Sequence, residues 1–175
     1  MIDEVLPTFR YYADPFGEGR FERSATACEV CGRGRGWAFV GVLYSAKVND
    51  PVICPWCIAD GTAAEKWNGS FNETAEAIAE ERDQEIRECT PNMQTWQDLQ
   101  WPCHCDDACC YLGQPDAAEL RAKPNALEAL LARLAEDGHT GDGAERIVDA
   151  MGYSPTTYLF RCLHCGKQIA EWDAD

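Results

Sequence analysis

Apolar and polar positions along the chain predict short strands interspersed with helices. An apolar, β-rich run covers residues 37–44, and residues 58–67 behind the second cysteine pair have the pattern of a helix. Alternation near the C-terminus predicts strands over 156–161 and 168–173. Helical spacing of apolar side chains predicts four further helices, over 72–89, 116–122, 125–137 and 144–151. Together these patterns predict an α+β fold, with β-hairpins of the treble-clef or zinc-ribbon kind packed against several helices.

The cysteine content changes this picture, because 11 cysteines in 175 residues need an explanation. The N-terminus has neither a basic start nor an apolar run, so we expect no secretory signal and a cytoplasmic location. In a reducing cytoplasm structural disulfides are rare, and an odd number of cysteines cannot pair completely within one chain. Metal binding is therefore the first explanation to consider.

The first two cysteine pairs have the spacing of a zinc site. Cys28 and Cys31 form one Cys-x-x-Cys knuckle, and Cys54 and Cys57 form another after a segment predicted to be a hairpin. Two knuckles supply the four thiolates that zinc takes in a tetrahedron. We predict that these four cysteines bind one ion.

A second site is predicted around the third knuckle, Cys162 and Cys165. Its other ligands are expected from the dense cluster at 103–110, with Cys105 and Cys109 as the leading pair. His104 is an alternative ligand, and Cys103 and Cys110 lie within reach of the same turn. Four protein ligands leave no position for water, so both ions are expected to be structural zinc, although iron also accepts tetrahedral sulfur.

Two catalytic alternatives deserve comparison with the structural one. Cys54-Pro-Trp-Cys57 before a helix is similar to a thioredoxin-type redox pair, in which the helix dipole lowers a thiol pKa. The turn holding His104, Asp106 and Asp107 would combine an imidazole and two carboxylates beside an incompletely coordinated zinc. The sequence has no deaminase, metalloprotease, phosphate-loop or nucleophile-elbow motif. We therefore expect no enzymatic activity.

The charge balance indicates the kind of partner. With a formal charge of -15 and a pI near 4.5, the chain would repel nucleic acid, and the Arg33 and Arg35 loop is its only basic cluster. A regulatory zinc protein that contacts nucleic acid through that loop remains the third hypothesis. The predicted helix over 72–89 exposes an acidic face, for which Glu76, Glu80 and Asp83 are the candidate partner-binding residues. No stretch is apolar enough to predict a membrane span.

Several short motifs are similar to those of the CbrC family, a poorly characterised bacterial family named for tolerance to a nuclease colicin. The matching segments are LPTF at 6–9, CPWCIADG at 54–61, TP at 90–91 with WQ at 96–97, HCDD at 104–107 and YLFRCLHCGK at 158–167. The resemblance implies that Cys105 and Cys109 pair with the last knuckle. It also implies that Cys103 and Cys110 are additions, and it links the protein to toxin tolerance.

These observations lead to one main hypothesis. Residues 1–70 are expected to form a zinc-knuckle and hairpin unit, and 71–175 a helical segment with the second zinc unit, the two making one compact domain. The protein is expected to be a non-catalytic, zinc-stabilised binding module. Its expected partner is a basic protein, of which a nuclease toxin is the most concrete example.

Overall fold

The computed structural model describes residues 4–174, in which groups of two or three short strands are separated by groups of three helices. The strands are β1 (Phe21–Arg23), β2 (Trp37–Phe39), β3 (Cys103–His104), β4 (Asp107–Ala108), β5 (Cys110–Gly113), β6 (Thr156–Arg161) and β7 (Gln168–Asp173). The helices are α1 (Pro55–Ala59), α2 (Thr62–Trp67), α3 (Glu80–Cys89), α4 (Ala117–Ala122), α5 (Pro124–Glu136) and α6 (Asp142–Ala150). This composition confirms the predicted α+β class.

The strands form three small antiparallel sheets, β1-β2, β3-β4 and β5-β6-β7. In the largest sheet β6 is central, and β7 pairs with it along its whole length from Thr156↔Asp173 to Arg161↔Gln168. Both C-terminal strands therefore have their predicted bounds, and the third knuckle forms the turn between them.

The apolar run at 37–44 does not form a hairpin between the first two knuckles. Only β2 is a strand, and it pairs with β1, which precedes the first knuckle. Val40 still donates its amide to the Arg20 carbonyl, but beyond it the chain leaves the ladder, and Tyr44 pairs instead with Ser70. The predicted hairpin is wrong because its partner strand lies earlier in the chain.

Two predicted helices are shorter than their apolar spacing suggested. The helix predicted over 58–67 is divided into α1 and α2, since Gly61 adopts a left-handed conformation with φ of 75°. The helix predicted over 72–89 begins only at Glu80, because Thr74 forms a bridge with Trp101 and the Asn72 side chain donates to two carbonyls of α3 and its C-cap. The N-cap of α3 is accordingly Ala79.

The buried side chains form two apolar clusters. The first is rich in aromatic residues such as Trp101 and Tyr111, and it joins the N-terminal segment to β5 and β6. The second packs α4, α5 and α6 against β5-β6-β7, with Leu130 and Leu134 of α5 fully buried as their spacing predicted. Within residues 4–174 no helix has the length and apolarity to cross a bilayer. Several cysteines lie within the first cluster, so metal ligands and core are built together.

Candidate metal centres

The structure brings Cys28, Cys31, Cys54 and Cys57 together in one group. Their sulfur atoms all lie within 4.8 Å of one another, and Cys31 Sγ is 3.9 Å from Cys54 Sγ. Sulfur atoms on a zinc tetrahedron with Zn–S of about 2.3 Å are about 3.8 Å apart. Distances and donor type both fit zinc.

Local structure explains how the four sulfurs converge. The first knuckle is a tight turn in which Gly32, with φ of 71°, donates its amide to the Cys28 carbonyl. Pro55 occupies the first turn of α1, where its missing amide costs no hydrogen bond, and it starts the helix that carries Cys57. Three of the four thiols are buried, with Cys31 the exposed one.

A second group consists of His104, Cys105, Cys162 and Cys165. His104 Nδ1 lies 3.2 Å from Cys105 Sγ and 3.4 Å from Cys165 Sγ, and all four ligand atoms lie within 4.8 Å of one another. Only Cys162 is buried, so this group is much more open to solvent than the first. Three thiolates and one imidazole form a common set for a closed, tetrahedral zinc site.

Cys109 does not belong to this group, although it was predicted to be a ligand. Its side chain is fully buried in the aromatic core, and its carbonyl accepts a hydrogen bond from Trp101 Nε1. Burial raises the pKa of its thiol to about 12, and the neighbouring Cys162 adds to the rise. Cys109 links β4 to β5 and its side chain lies in the core, and the alternative ligand His104 is the fourth member of the group.

One thiol in each group is stabilised as a thiolate by backbone amides. Burial raises the pKa of Cys28, but amide hydrogen bonds from Cys31 and Cys54 lower it overall, and Cys54 N lies 3.3 Å from Cys28 Sγ. In the second group burial likewise opposes ionisation, while the amides of Cys165 and His164 help to lower the pKa of Cys162 to about 6. In each group the backbone amides thus favour the ionised form of one thiol, which is the form that binds a cation.

The redox alternative finds no support in the geometry of Cys54 and Cys57. Both thiols are buried, and burial raises the pKa of each. A reactive redox cysteine needs an accessible thiol with a lowered pKa. The pair lies with Cys28 and Cys31 as one half of a ligand group instead.

The second group is carried by a strained two-residue turn. Cys105 and Asp106 join β3 to β4 with φ of 56° and 57°, a conformation that favours glycine at both central positions of a hairpin turn. This turn directs Cys105 toward the third knuckle. Backbone strain at a ligand persists only where the surroundings fix it, and such strain is frequent at functional sites.

Asp107 fixes that turn from within the protein. Its carboxylate is fully buried and accepts from Tyr11 Oη at 2.7 Å, from Arg10 Nη2 at 2.8 Å and from its neighbour's amide. It also lies 2.8 Å from His164 Nε2, inside the third knuckle. Burial raises the pKa of Asp107, but the bonds from Tyr11 and His164 and the charge of Arg10 hold it below its usual value.

This network argues against the catalytic interpretation of the turn that holds His104, Asp106 and Asp107. Asp107 is fully occupied by partners, and Asp106 is exposed, with the Arg82 guanidinium bonded to its carbonyl. Asp107 thus positions the knuckle, whereas the Asp106 carboxylate has only the 3.7 Å ion pair with Arg82. The sequence placed Asp107 next to a ligand, but nothing in the spacing predicted that Tyr11 would reach it across 96 positions.

Arg35 has a similar role at the first group. Its guanidinium pairs with Glu4 at 3.0 Å and stacks over Trp56 with its central carbon 4.8 Å from the ring centre, and the nearby thiols of Cys54 and Cys31 help to raise its pKa. The side chain that made the glycine-rich loop a candidate nucleic-acid contact is therefore directed to the thiolates. The two arginines of the predicted basic cluster therefore differ. Arg35 pairs with Glu4, whereas the exposed Arg33 has no ion pair among the described residues.

The remaining predicted residues lie outside both groups. Cys103 is half-buried beside the Trp101 carbonyl, and Cys110 is buried in β5. Glu76 and Glu80 are exposed, whereas Asp83 accepts from Thr74 Oγ1 and pairs with an arginine of its own helix. The acidic surface is thus real at Glu76 and Glu80, and Asp83 contributes less to it.

Comparison with known proteins identifies the family. The model of the uncharacterised protein family UPF0167 matches residues 6–174. The UPF0167 protein PA1536 of Pseudomonas aeruginosa is 38% identical over 99% of both chains, and Mb2317 of Mycobacterium bovis is 35% identical over 97% of this chain and 94% of its own. No solved structure matches. The narrower resemblance to the CbrC family stays a prediction, while the coverage and identity show that the chain belongs to the UPF0167 family.

Proposed function

We propose that the protein is a non-catalytic binding module held together by two structural zinc ions, and that it acts by binding a basic protein. The observation that carries this proposal is the presence of two groups of four ligand side chains, one with four thiols and one with three thiols and an imidazole. Closed sites of this composition stabilise folds, since no coordination position is left for water or substrate. Zinc is the metal that this donor set fits best.

The surroundings of the second group favour the structural role over the enzymatic one. A catalytic zinc needs an open position and a free acid or base nearby. Here His104 lies among the ligands, and Asp107 is buried with its oxygens occupied by Tyr11, Arg10 and His164. The geometry that would hold the ion therefore occupies His104 and Asp107, two of the three groups that the enzymatic hypothesis requires.

The surface charge supports a basic partner. The formal charge is -15, and the thiolates of the two groups outnumber the positive charges of two divalent ions, so metal binding makes the protein more acidic. Glu76 and Glu80 project from the segment that precedes and begins α3, with no ion pair to either in the described residues. An acidic surface attracts a cationic partner and accelerates its association.

A bacterial nuclease toxin is the most concrete partner, and the cytoplasm is the compartment in which the two would meet. Nucleases bind phosphates with basic surfaces, which an acidic protein can cover. The support is the similarity of motifs such as HCDD at 104–107 to the colicin-tolerance family, together with the charge.

The test is a DNA-protection assay with the nuclease domain of a DNA-cleaving colicin. The zinc-loaded protein should protect DNA at low salt, and its association rate should fall steeply as salt increases. Glu76→Lys with Glu80→Lys should slow association by about tenfold or more. Glu22→Lys with Glu128→Lys, which changes the charge equally at exposed sites elsewhere, should have a much smaller effect. Salt-insensitive binding, or no protection at any salt concentration, would contradict the proposed partner.

A further inference from the structure

A pocket of about 520 Å³ lies on the face formed by the chain after β2 and the loop before β3. Its wall consists of Gly41, Val42, Tyr44 and Arg20, together with segments 70–73 and 92–100. This volume is within the range of small-molecule sites, about 300–1,000 Å³. The pocket is separate from both metal groups, because none of their ligands lines it.

Arg20 is the unusual member of this wall. The residue is only 6% exposed, yet among residues 4–174 no carboxylate lies within ion-pair distance of its guanidinium. Nε donates to the Asn92 carbonyl at 2.9 Å and Nη2 to Asn92 Oδ1 at 3.2 Å, while Nη1 has no acceptor in the described part of the chain. A buried charge is costly unless an opposite charge or enough acceptors compensate it. Burial accordingly lowers the pKa of Arg20.

The absence of a side chain at position 41 lets the backbone pack closely against the guanidinium. A Cβ at Gly41 would lie 2.5 Å from Arg20 Nη2 and 2.5 Å from Asn92 Oδ1. Both Gly41 and Asn92 line the pocket, so the guanidinium end of Arg20 lies at the pocket wall. A guanidinium without an ion pair among residues 4–174 thus lies in the wall of a volume that is large enough for a ligand.

The rest of the lining limits the ligand class. Val42, Phe71, Met93 and Leu99 supply apolar surface, and Trp96 stands half-exposed at the pocket with its ring against Tyr153. Glu73 and Asp98 are exposed members of the lining, and their charges disfavour ligands with several negative charges. A ligand with one carboxylate would balance the single positive charge of Arg20. The planar guanidinium and a carboxylate can also form parallel hydrogen bonds, which strengthens the pair.

We infer that this pocket binds a small organic monocarboxylate whose carboxyl group pairs with Arg20 and whose apolar body lies against Val42 and Leu99. This activity goes beyond the proposed zinc-stabilised protein binding and does not depend on it. The ligand would supply a carboxylate at ion-pair distance from Arg20, which the fold itself compensates only with the more distant charge of Glu18 and the ring of Phe39.

The test compares acids with their neutral amides on the full, metal-loaded chain. Acetate and benzoate are titrated against acetamide and benzamide at constant ionic strength, and the NMR signals of Arg20 Nε–H and the Trp96 indole N–H are followed. At least one acid should give saturable shifts of both signals, with a Kd at least tenfold lower than that of its amide. Absence of a saturable shift for both acids, or equal binding of acids and amides, would overturn the inference.

A pair of surface variants locates the binding without altering Arg20. Val42→Glu places a carboxylate in the pocket from a residue that is 48% exposed, so it should compete for Arg20 and weaken acid binding at least tenfold. Val40→Glu makes the same change two positions away, at a residue that is 40% exposed and outside the lining, and should change binding less than twofold. Equal affinities of the two variants would contradict binding at Arg20.

Discussion

The two metal groups are built from similar knuckles but in different surroundings. The first lies within the aromatic core, with three of its four thiols buried, whereas the second has a single buried ligand. Cys31 and Cys54 are 23 positions apart, while His104 and Cys165 are 61 apart. The difference in loop-closure entropy for these separations is only ~0.9 kcal/mol. Burial and donor type, more than chain separation, therefore distinguish the two groups.

This difference indicates two kinds of dependence on metal. At the first group the ligands are themselves core residues. Loss of the ion would leave these buried sulfurs either as thiolates that repel one another or as protonated thiols without a partner. At the second group the protein compensates for exposure with the buried Asp107 network, which holds the ligand turn without help from the ion. The first group should be essential to the fold, and the second should be partly prepared in advance.

The largest contrast is expected between loss of one ligand from each group. Cys57→Ala should release the first ion and unfold the chain, because the binding energy of a structural zinc, ~10–16 kcal/mol, is comparable to the whole stability of a domain. Cys105→Ala should release only the second ion and leave a cooperative, lower-melting fold. Metal analysis with thermal unfolding followed by circular dichroism measures both. Equal unfolding of the two variants would remove the distinction between the groups.

The next largest effect is expected from substitution of the buried carboxylate of Asp107. Asp107→Asn should destabilise the protein by ~3–5 kcal/mol, since it leaves Arg10 and His164 without their buried partner. Asp137→Asn is the matched control, because Asp137 also bonds an arginine and an aromatic N–H but is exposed. Its cost should be below ~1 kcal/mol. Denaturant unfolding of both variants gives the two free energies. Similar losses of stability would contradict the conclusion that Asp107 holds the ligand turn in place.

A second pair of variants tests which residue is the fourth ligand of the second group. His104→Ala should weaken binding of the second ion by about 100-fold or more, as removal of groups at metal sites does. Cys109→Ala should leave two ions per chain and reduce stability by ~1–2 kcal/mol through lost packing. Competition with a zinc-binding dye measures the affinities. Loss of the second ion in the Cys109 variant, with retention in the His104 variant, would restore the assignment made from sequence.

The smallest effect concerns the strained turn. Asp106→Ala should be less stable than Asp106→Gly by ~1 kcal/mol, because position 106 has φ of 57° and alanine disfavours that region. Both variants lose the same weak contact with Arg82, so their difference isolates the backbone. Chemical unfolding at constant metal concentration provides the comparison. Identical stabilities would mean that the turn relaxes when its side chain changes.

Local patterns predicted much of the fold, and the failures at residues 37–44 and at the start of α3 share one cause. The bounds of β6 and β7, the leucine face of α5 and the grouping of the first four cysteines all follow from spacing within short segments. The hairpin expected after Trp37 and the long helix expected from residue 72 failed because distant partners, β1 and Trp101, take up the backbone.

At the second metal group, too, short sequence patterns could not predict contacts made by distant residues. Spacing identified the third knuckle and the cluster at 103–110, but it could not tell which side of β3 and β4 each side chain would face. That choice depends on the turn at Cys105 and on the packing of Cys109 under Trp101. Arg20 gave no sequence signal at all, since an isolated arginine is ordinary until its burial and its missing partner are seen.

The most direct test of the account is the metal content and coordination of the native protein. X-ray absorption at the zinc edge, combined with metal analysis, should show two zinc ions per chain, with sulfur from seven cysteines and one imidazole nitrogen shared between them, at Zn–S of about 2.3 Å. Fewer than two ions, or an oxygen donor completing either site, would contradict two closed structural centres.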